Sequence, residues 1–264
     1  MALNCIVYQA FDKDNINECR YALLKYLSIY NLNAPDDVTI VIYTDQPSVF
    51  EAYSPYFENF KMNKRQPLSK WAFLEEGLSQ FDSVLYCETN TYPVKAIEPL
   101  FEKMTMGKTY LLFQKKVSSN LQKGVKKLIN EGKIVNNEGV QSRVSVAGIP
   151  KDHALINQLR SGAVTLGNNS ADDRQIILML SNQRTHFDGF IDYSELPEFS
   201  KLLNVFFNQN EEESIPNLVK LIHHLDVNQI ILEKREFEQL PIHKKWSKRI
   251  LGKGWSIKEY SKKL

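Results

Sequence analysis

PLSKWAFLEEGLSQFDSVLYCETNTYPVKAIEPLF, residues 67–101, is the stretch whose reading decides the fold. It reads as a helix, a buried strand, a polar turn and a second helix. Residues 70–80 suit a helix. Ser83-Val84-Leu85-Tyr86-Cys87 carries no charge and suits a strand covered on both faces. Glu88-Thr89-Asn90-Thr91 then supplies the turn. Open α/β sheets bind ligands in the crevice beyond the carboxyl ends of their strands. An acidic-x-polar triplet at such an end can hold a divalent cation that in turn holds a diphosphate. The plainer alternative is a polar turn whose side chains bond the local backbone.

Working outward, the chain alternates between apolar runs and helical periods. Residues 4–9, 38–44, 109–114 and 143–149 are the further strand candidates, with the β-branched VTIVIYT at 38–44 the strongest. Residues 15–30 place Cys19, Leu23, Leu24 and Leu27 at helical spacing. Asp45-Gln46-Pro47 signals a turn and a helix start. Residues 97–103, 118–131 and 151–159 suit further helices. From about residue 172 the pattern turns helical, over 172–182, 196–207 and 214–225, with the polar run 208–213 between the last two. Pro216 falls in a first turn. This alternation predicts a mostly parallel or mixed α/β sheet with helices on both faces and a helical C-terminal portion.

At 264 residues, 43% hydrophobic and 24% charged, the chain has the length and balance of one large globular α/β domain. No apolar run reaches the roughly 18 residues that a bilayer-spanning helix needs. Residues 1–8 lack a positive n-region and a signal-peptide core, so a cytoplasmic protein is expected. Cys5, Cys19 and Cys87 match no metal spacing and read as buried thiols. The net charge of +2 hides an asymmetry. Residues 243–264 hold eight Lys or Arg and one Glu, a tail of +7, leaving −5 on residues 1–242. Two units follow, an α/β body over 1–242 and a basic tail over 243–264.

The 67–101 segment resembles the nucleotide-sugar glycosyltransferases of the GT-A fold, in particular those related to glycogenin and galactosyltransferase. Those proteins place Ser-Lys or Thr-Lys before a helix, then an apolar strand, an Asp-x-Asp motif, and a short run ending in Leu-Phe. Here the order is Ser69-Lys70, Val84-Leu85-Tyr86, Glu88-Thr89-Asn90 and Pro99-Leu100-Phe101. The motif departs from the pattern, since Glu and Asn replace the two Asp. The resemblance implies a GT-A-like mixed sheet, a nucleotide-sugar donor (a UDP-sugar favoured), and Mn2+ or Mg2+ held by Glu88 and Asn90. The triplet carries −1 where the family carries −2, and hard cations prefer charged oxygens, so the expected metal site is weak.

The resemblance also implies roles for other residues, each beside an ordinary one. Tyr8, Gln9 and Ala10 end the first strand, where the nucleotide base packs in the family, and Tyr8 suits the core equally. Asp45 ends the second strand, where base or ribose would lie, and also suits a helix N-cap. Lys70 would approach the donor phosphates, or stand in solvent as most lysines do. Asp172 and Asp173 match a late acidic pair near the acceptor or the anomeric carbon, and equally suit a helix start. The strand before them keeps Ala147-Gly148 but lacks the Asn that precedes such a pair in the family. His223 and His224 are adjacent on a helix and so point about 100° apart, which makes no joint metal site.

In the tail, Trp246, Ile250 and Leu251 share a helical face, with Lys244, Lys245, Lys248 and Arg249 elsewhere. Such an element can dock on anionic lipid at the inner membrane face, or pack its aromatics on the body. No base-stacking pattern accompanies the charge, so no nucleic-acid partner is expected. Two functions stand at this point. One is glycosyl transfer from a nucleotide sugar to a glycan or lipid-linked acceptor, in cell-surface polysaccharide synthesis. The other is a GT-A-fold binding or assembly subunit that has lost catalysis.

Overall fold

The computed structural model describes residues 3–113, 144–151, 184–185, 189–192 and 199–224. Strand β1 (Asn4–Ala10) leads into helix α1 (Lys13–Ile29), and β2 (Val38–Thr44) into a 3-10 helix (Pro47–Tyr56). Then come β3 (Phe60–Lys64), α2 (Lys70–Gln80), β4 (Ser83–Cys87), β5 (Thr91–Pro93), α3 (Glu98–Thr105) and β6 (Thr109–Phe113). After these follow β7 (Val144–Pro150), β8 (Arg184–Thr185), β9 (Phe190–Asp192), α4 (Phe199–Gln209) and α5 (Ile215–His224).

Among the described residues, seven strands form one sheet in the order β3-β2-β1-β4-β7-β6-β8, and β5 and β9 pair separately. Strands β3, β2, β1 and β4 run parallel, and β7 is antiparallel to both β4 and β6. This is the mixed α/β sheet with flanking helices that the alternating sequence pattern predicts. The parallel side is built from strand–helix–strand crossovers, so β1, β2 and β4 send their carboxyl ends to one edge.

Side chains alternate across the strands and build two cores. Ile6, Tyr8, Ala10, Ile40, Ile42, Leu85, Cys87 and Val146 face the side covered by α1, α3, α4 and α5. Cys5, Val7, Val41, Tyr43, Val84, Tyr86, Ala147 and Ile149 face α2, where Trp71, Phe73, Leu74 and Leu78 meet them. Helix α2 lies close because Gly77 faces the sheet: a Cβ there would come within 3.0 Å of Val84. Gly148 is likewise a packing glycine, since a Cβ would stand 3.0 Å from Met104 Sδ and 3.2 Å from Leu85 Cδ1.

Several boundaries follow the sequence closely, β2, α2 and β4 among them. The helix start expected from Asp45 differs in detail. Gln46, not Asp45, holds the cap position of the 3-10 helix, and it makes no side-chain cap bond. Thr44 Oγ1 accepts from the Gln46 N–H instead, so the local hydrogen bond is supplied from the strand end. Strand β3 was not expected, since FKMNK has no clear alternation, and it pairs at the sheet edge with β2. The turn after β4 is shorter than four residues, because Thr91 already pairs with Asp192 in β5–β9. All three cysteines are buried and free, as expected. The helices expected over 118–131, 151–159 and 172–182, and the tail over 243–264, lie outside the described residues.

Candidate functional site

The site is built at the carboxyl end of β4. Glu88 closes this strand by donating its N–H to Ser145 O of β7 at 2.8 Å. Its own carbonyl accepts from the Thr91 N–H at 2.9 Å and the Thr91 hydroxyl at 2.6 Å, which tightens the turn. Helix α2 starts beside it. Ser69 caps that helix, its side chain accepting from the Ala72 N–H. The cap sets Lys70 as the first helical residue, aimed across the β4 and β7 ends.

The Lys70 ammonium donates to Val144 O at 2.7 Å and stands 3.4 Å from Glu88 Oε1. Both side chains are buried, 5% and 8% exposed. The shorter contact is to the neutral carbonyl, so the ammonium is seated by β7 and faces the carboxylate through charge attraction. A buried ion pair of this kind holds its geometry because either charge alone would be costly to bury.

Thr89, the middle residue of the triplet, is tied to the helical layer. Its hydroxyl lies 2.8 Å from Glu18 Oε2 and 2.9 Å from Asn15 Oδ1, both on α1. Ser200 of α4 donates to Glu18 Oε1 at 2.6 Å. Asn204 of α4 continues the contact, accepting from Asn17 and donating to Asp14. A threonine hydroxyl has one proton, yet here it meets two oxygens that ordinarily only accept. That one proton serves Glu18 Oε2 or Asn15 Oδ1, and both oxygens stay within hydrogen-bond distance of the hydroxyl. Burial pushes the Glu18 carboxyl above the usual carboxylate range, and Asp14 and Asp12 add to this against the opposing bonds from Ser200 and Thr89.

The linkage has a definite sign. Between the unfolded and the raised folded value, the native state holds a proton that the unfolded chain has lost. Stability therefore falls as pH rises out of the ordinary carboxylate range and through the folded value. Glu18→Gln keeps a neutral side chain at all pH, so the difference between wild-type and E18Q denaturation midpoints should shrink as pH is lowered. A difference that stays constant across that range would refute a raised Glu18 carboxyl.

The other expected site residues fall in distinct places. Gln9 donates from Nε2 to the Tyr86 hydroxyl at 3.1 Å, on the α2 side of the sheet. Tyr8 turns its ring to the α1 side, where it is 1% exposed within the core, the place that its ordinary reading gives it. Ala10 is also in that core. Asp45 is exposed at the carboxyl end of β2. Lys70 is not the solvated lysine of the ordinary reading. Asp172 and Asp173 lie outside the described residues. Glu18, Asn15 and Ser200 were not found in the sequence. Asn17 and Glu18 look like a solvent face, and α4 packs over them with Asn204 and Ser200.

The implied divalent cation can be tested against this arrangement. Asn90 Oδ1 is buried and has no hydrogen-bond partner among the described residues, which leaves an acceptor available. Glu88 is the single charged oxygen ligand of the triplet, and its charge is already opposed by Lys70. A cation at ligating distance from Glu88 Oε1 would stand no more than about 6 Å from the ammonium, under direct repulsion. Among the described residues no cluster of three or more His, Cys, Asp or Glu is placed to share a metal. Among the described residues, Glu88 and Asn90 offer a cation one carboxylate, opposed by Lys70, and one neutral oxygen.

No protein-family model matches the chain, and no curated protein matches it. Among solved structures it is similar to the bifunctional glycosyltransferase WbbM, at 11% identity and TM-score 0.43, over 70% of this chain and 39% of that one. It is also similar to the galactosyltransferase LgtC in complex with donor and acceptor sugar analogs, at 12% identity and TM-score 0.41, over 68% and 72% of the two chains. A third is 4-diphosphocytidyl-2C-methyl-D-erythritol synthase from Anaerococcus prevotii, at 12% identity and TM-score 0.42, over 78% and 96%. Likenesses at this level bear on neither donor nor chemistry. Among the described residues no helix is long and apolar enough to cross a membrane.

Proposed function

We propose that the chain is a GT-A-like glycosyltransferase that moves a sugar from a nucleotide-sugar donor to an acceptor hydroxyl. The observation that carries this reading is the Lys70 ammonium, delivered by α2 to the carboxyl end of β4 beside the Glu88-Thr89-Asn90 triplet. In this reaction the anomeric carbon–oxygen bond to the diphosphate breaks and the acceptor oxygen bonds to that carbon. The acceptor proton leaves to a base, and negative charge collects on the departing diphosphate. A positive group fixed in a site poor in water stabilises that charge without reorganising. Lys70 has the charge and the fixed position, and Thr89 holds the turn through Glu18.

The finer parts of the reading belong with it. The donor is a UDP-sugar carrying a hexose, and the acceptor is a glycan or a lipid-linked glycan of polysaccharide synthesis. Asp172 and Asp173 act near the anomeric carbon, Asp45 and Gln9 stand at the base and ribose end, and residues 243–264 contact anionic lipid at the inner, cytoplasmic membrane face. Support comes from the order of Ser69-Lys70, strand, triplet and Leu100-Phe101, and from the +7 charge of the tail.

The test is a panel of UDP-, GDP-, dTDP- and CMP-sugars followed for nucleotide release. One donor should be hydrolysed slowly without acceptor, because water can enter where the acceptor attacks. Asp173→Ala should slow that release while leaving donor binding nearly unchanged, since a group acting at the anomeric carbon helps mainly the transition state. Binding with no release from any donor or acceptor preparation would favour the non-catalytic subunit. Neither binding nor release would end the nucleotide-sugar reading.

A further inference from the structure

Resting on the nucleotide-sugar reading above, we propose that Ser200, Glu18 and Thr89 form a positioning chain through which α4 sets the triplet turn for the donor. Glu88-Thr89-Asn90-Thr91 is a β-turn, closed by the Thr91 N–H on Glu88 O at 2.9 Å. Its outer residues are fixed in the two sheets. Glu88 donates its N–H to Ser145 O of β7, and Thr91 pairs with Asp192 of β9. Its central residues, Thr89 and Asn90, make no backbone–backbone hydrogen bond among the described residues. A side chain holds the centre of the turn instead. The Thr89 hydroxyl lies 2.8 Å from Glu18 Oε2 and 2.9 Å from Asn15 Oδ1. The other oxygen of Glu18 accepts from the Ser200 hydroxyl at 2.6 Å.

A carboxyl group is planar, so it joins two hydroxyls at a fixed separation. Glu18 therefore links the first turn of α4 to the centre of the triplet. Glu18 and Thr89 are buried, 8% and 5% exposed, and away from water such contacts are strong and directional. Their effect falls on the peptide that Thr89 shares with Asn90. Asn90 Oδ1 is buried and has no hydrogen-bond partner among the described residues, so it remains an acceptor for a ribose or sugar hydroxyl of the donor. Rotation of that peptide would move the oxygen off its line. Asn204 gives an internal comparison. It also docks α4 on α1, donating to Asp14 Oδ1 at 2.8 Å and accepting from Asn17 at 2.6 Å. Of these two polar contacts of α4, the one through Ser200 continues to the triplet and the one through Asn204 does not.

The experiment titrates the full chain and its variants by calorimetry with UDP-, GDP-, dTDP- and CMP-sugars in excess Mn2+, with urea denaturation in parallel. Wild type should bind at least one of these donors. Thr89→Val, which keeps the shape and removes the hydroxyl, should bind it about tenfold more weakly, and Thr89→Ser within about twofold of wild type. Ser200→Ala should weaken binding about threefold or more. The double variant Thr89→Val/Ser200→Ala should bind no more weakly than Thr89→Val alone, because the second cut falls on a chain already broken. Asn204→Ala should lower the urea midpoint as Ser200→Ala does, yet leave donor affinity within about twofold. Equal losses of affinity in Ser200→Ala and Asn204→Ala would place the effect in the docking of α4 as a whole and overturn the proposal. So would unchanged affinity in Thr89→Val, or losses that add in the double variant. In each of these cases the transferase reading stands. Should Thr89→Val fail to fold, the contrast between Ser200→Ala and Asn204→Ala decides by itself. If wild type binds none of the donors, the proposal falls together with the reading beneath it.

Discussion

Lys70→Met should destabilise the fold by about 3–5 kcal/mol, the usual scale for removing one member of a buried ion pair. The methionine replaces most of the lysine stem, so little packing is lost. What is lost is the charge opposing Glu88, whose carboxylate is 8% exposed. Two unit charges about 4 Å apart attract by about 4 kcal/mol at the effective dielectric of proteins, so the pair is strong enough to be seen. Val144 O also loses its 2.7 Å donor. Glu88→Gln in the same chain should recover much of the loss, because an amide can be buried without a counter-charge. Urea denaturation of the wild type, the two single variants and the double variant closes the cycle. An additive cycle, with the double variant as unstable as the singles combined, would show that Lys70 and Glu88 do not act as a pair.

The strand framework was legible because its signals are local. VTIVIYT is β-branched throughout, and β2 takes up residues 38–44 with no change of boundary. SVLYC is uncharged, and β4 matches it for the same reason: both strands are covered on both faces, and burial removes polar residues from both sides. Ser69-Lys70 marked the start of the 70–80 helix, and in the structure Ser69 caps it. The edge strand β3 was missed because one side of it meets solvent and its FKMNK pattern is set by position in the sheet.

The site was half legible. The triplet and Lys70 were found as separate residues, each with its own presumed ligand, and the structure brings them against each other. Nothing in the spacing of 70 and 88 shows this, because the contact is made by the crossover that returns α2 to β4. Tyr8 was assigned by its place at a strand end, whereas the decisive fact is parity: it shares a face with Ile6 and Ala10, opposite to α2. Glu18 was invisible because a glutamate in a helix is ordinarily solvated. Its burial depends on α4, some 180 residues further along the chain, laying Ser200 and Asn204 over α1.

Trp71→Ala should cost a further about 3–5 kcal/mol and lower Tm by roughly 10 °C. Trp71 is fully buried and is the largest side chain in the core between α2 and the sheet, which it shares with Cys5, Val7, Val84 and Tyr86. Deleting an indole there loses the transfer energy of its surface and leaves a cavity, because the strands beneath are fixed by their neighbours on both sides. Trp71→Phe should keep most of the stability by filling much of that space. The consequence reaches the site, because Trp71 follows Lys70 directly and the ammonium stands 5.8 Å from the centre of its ring. With the indole gone, the first turn of α2 loses the anchor that aims Lys70 across the strand ends. Repeating the Lys70–Glu88 double-mutant cycle in the Trp71→Ala background should therefore give a smaller coupling energy than in the wild type, and in Trp71→Phe a nearly unchanged one. Equal coupling in all three backgrounds would mean that Trp71 serves the core without serving the site.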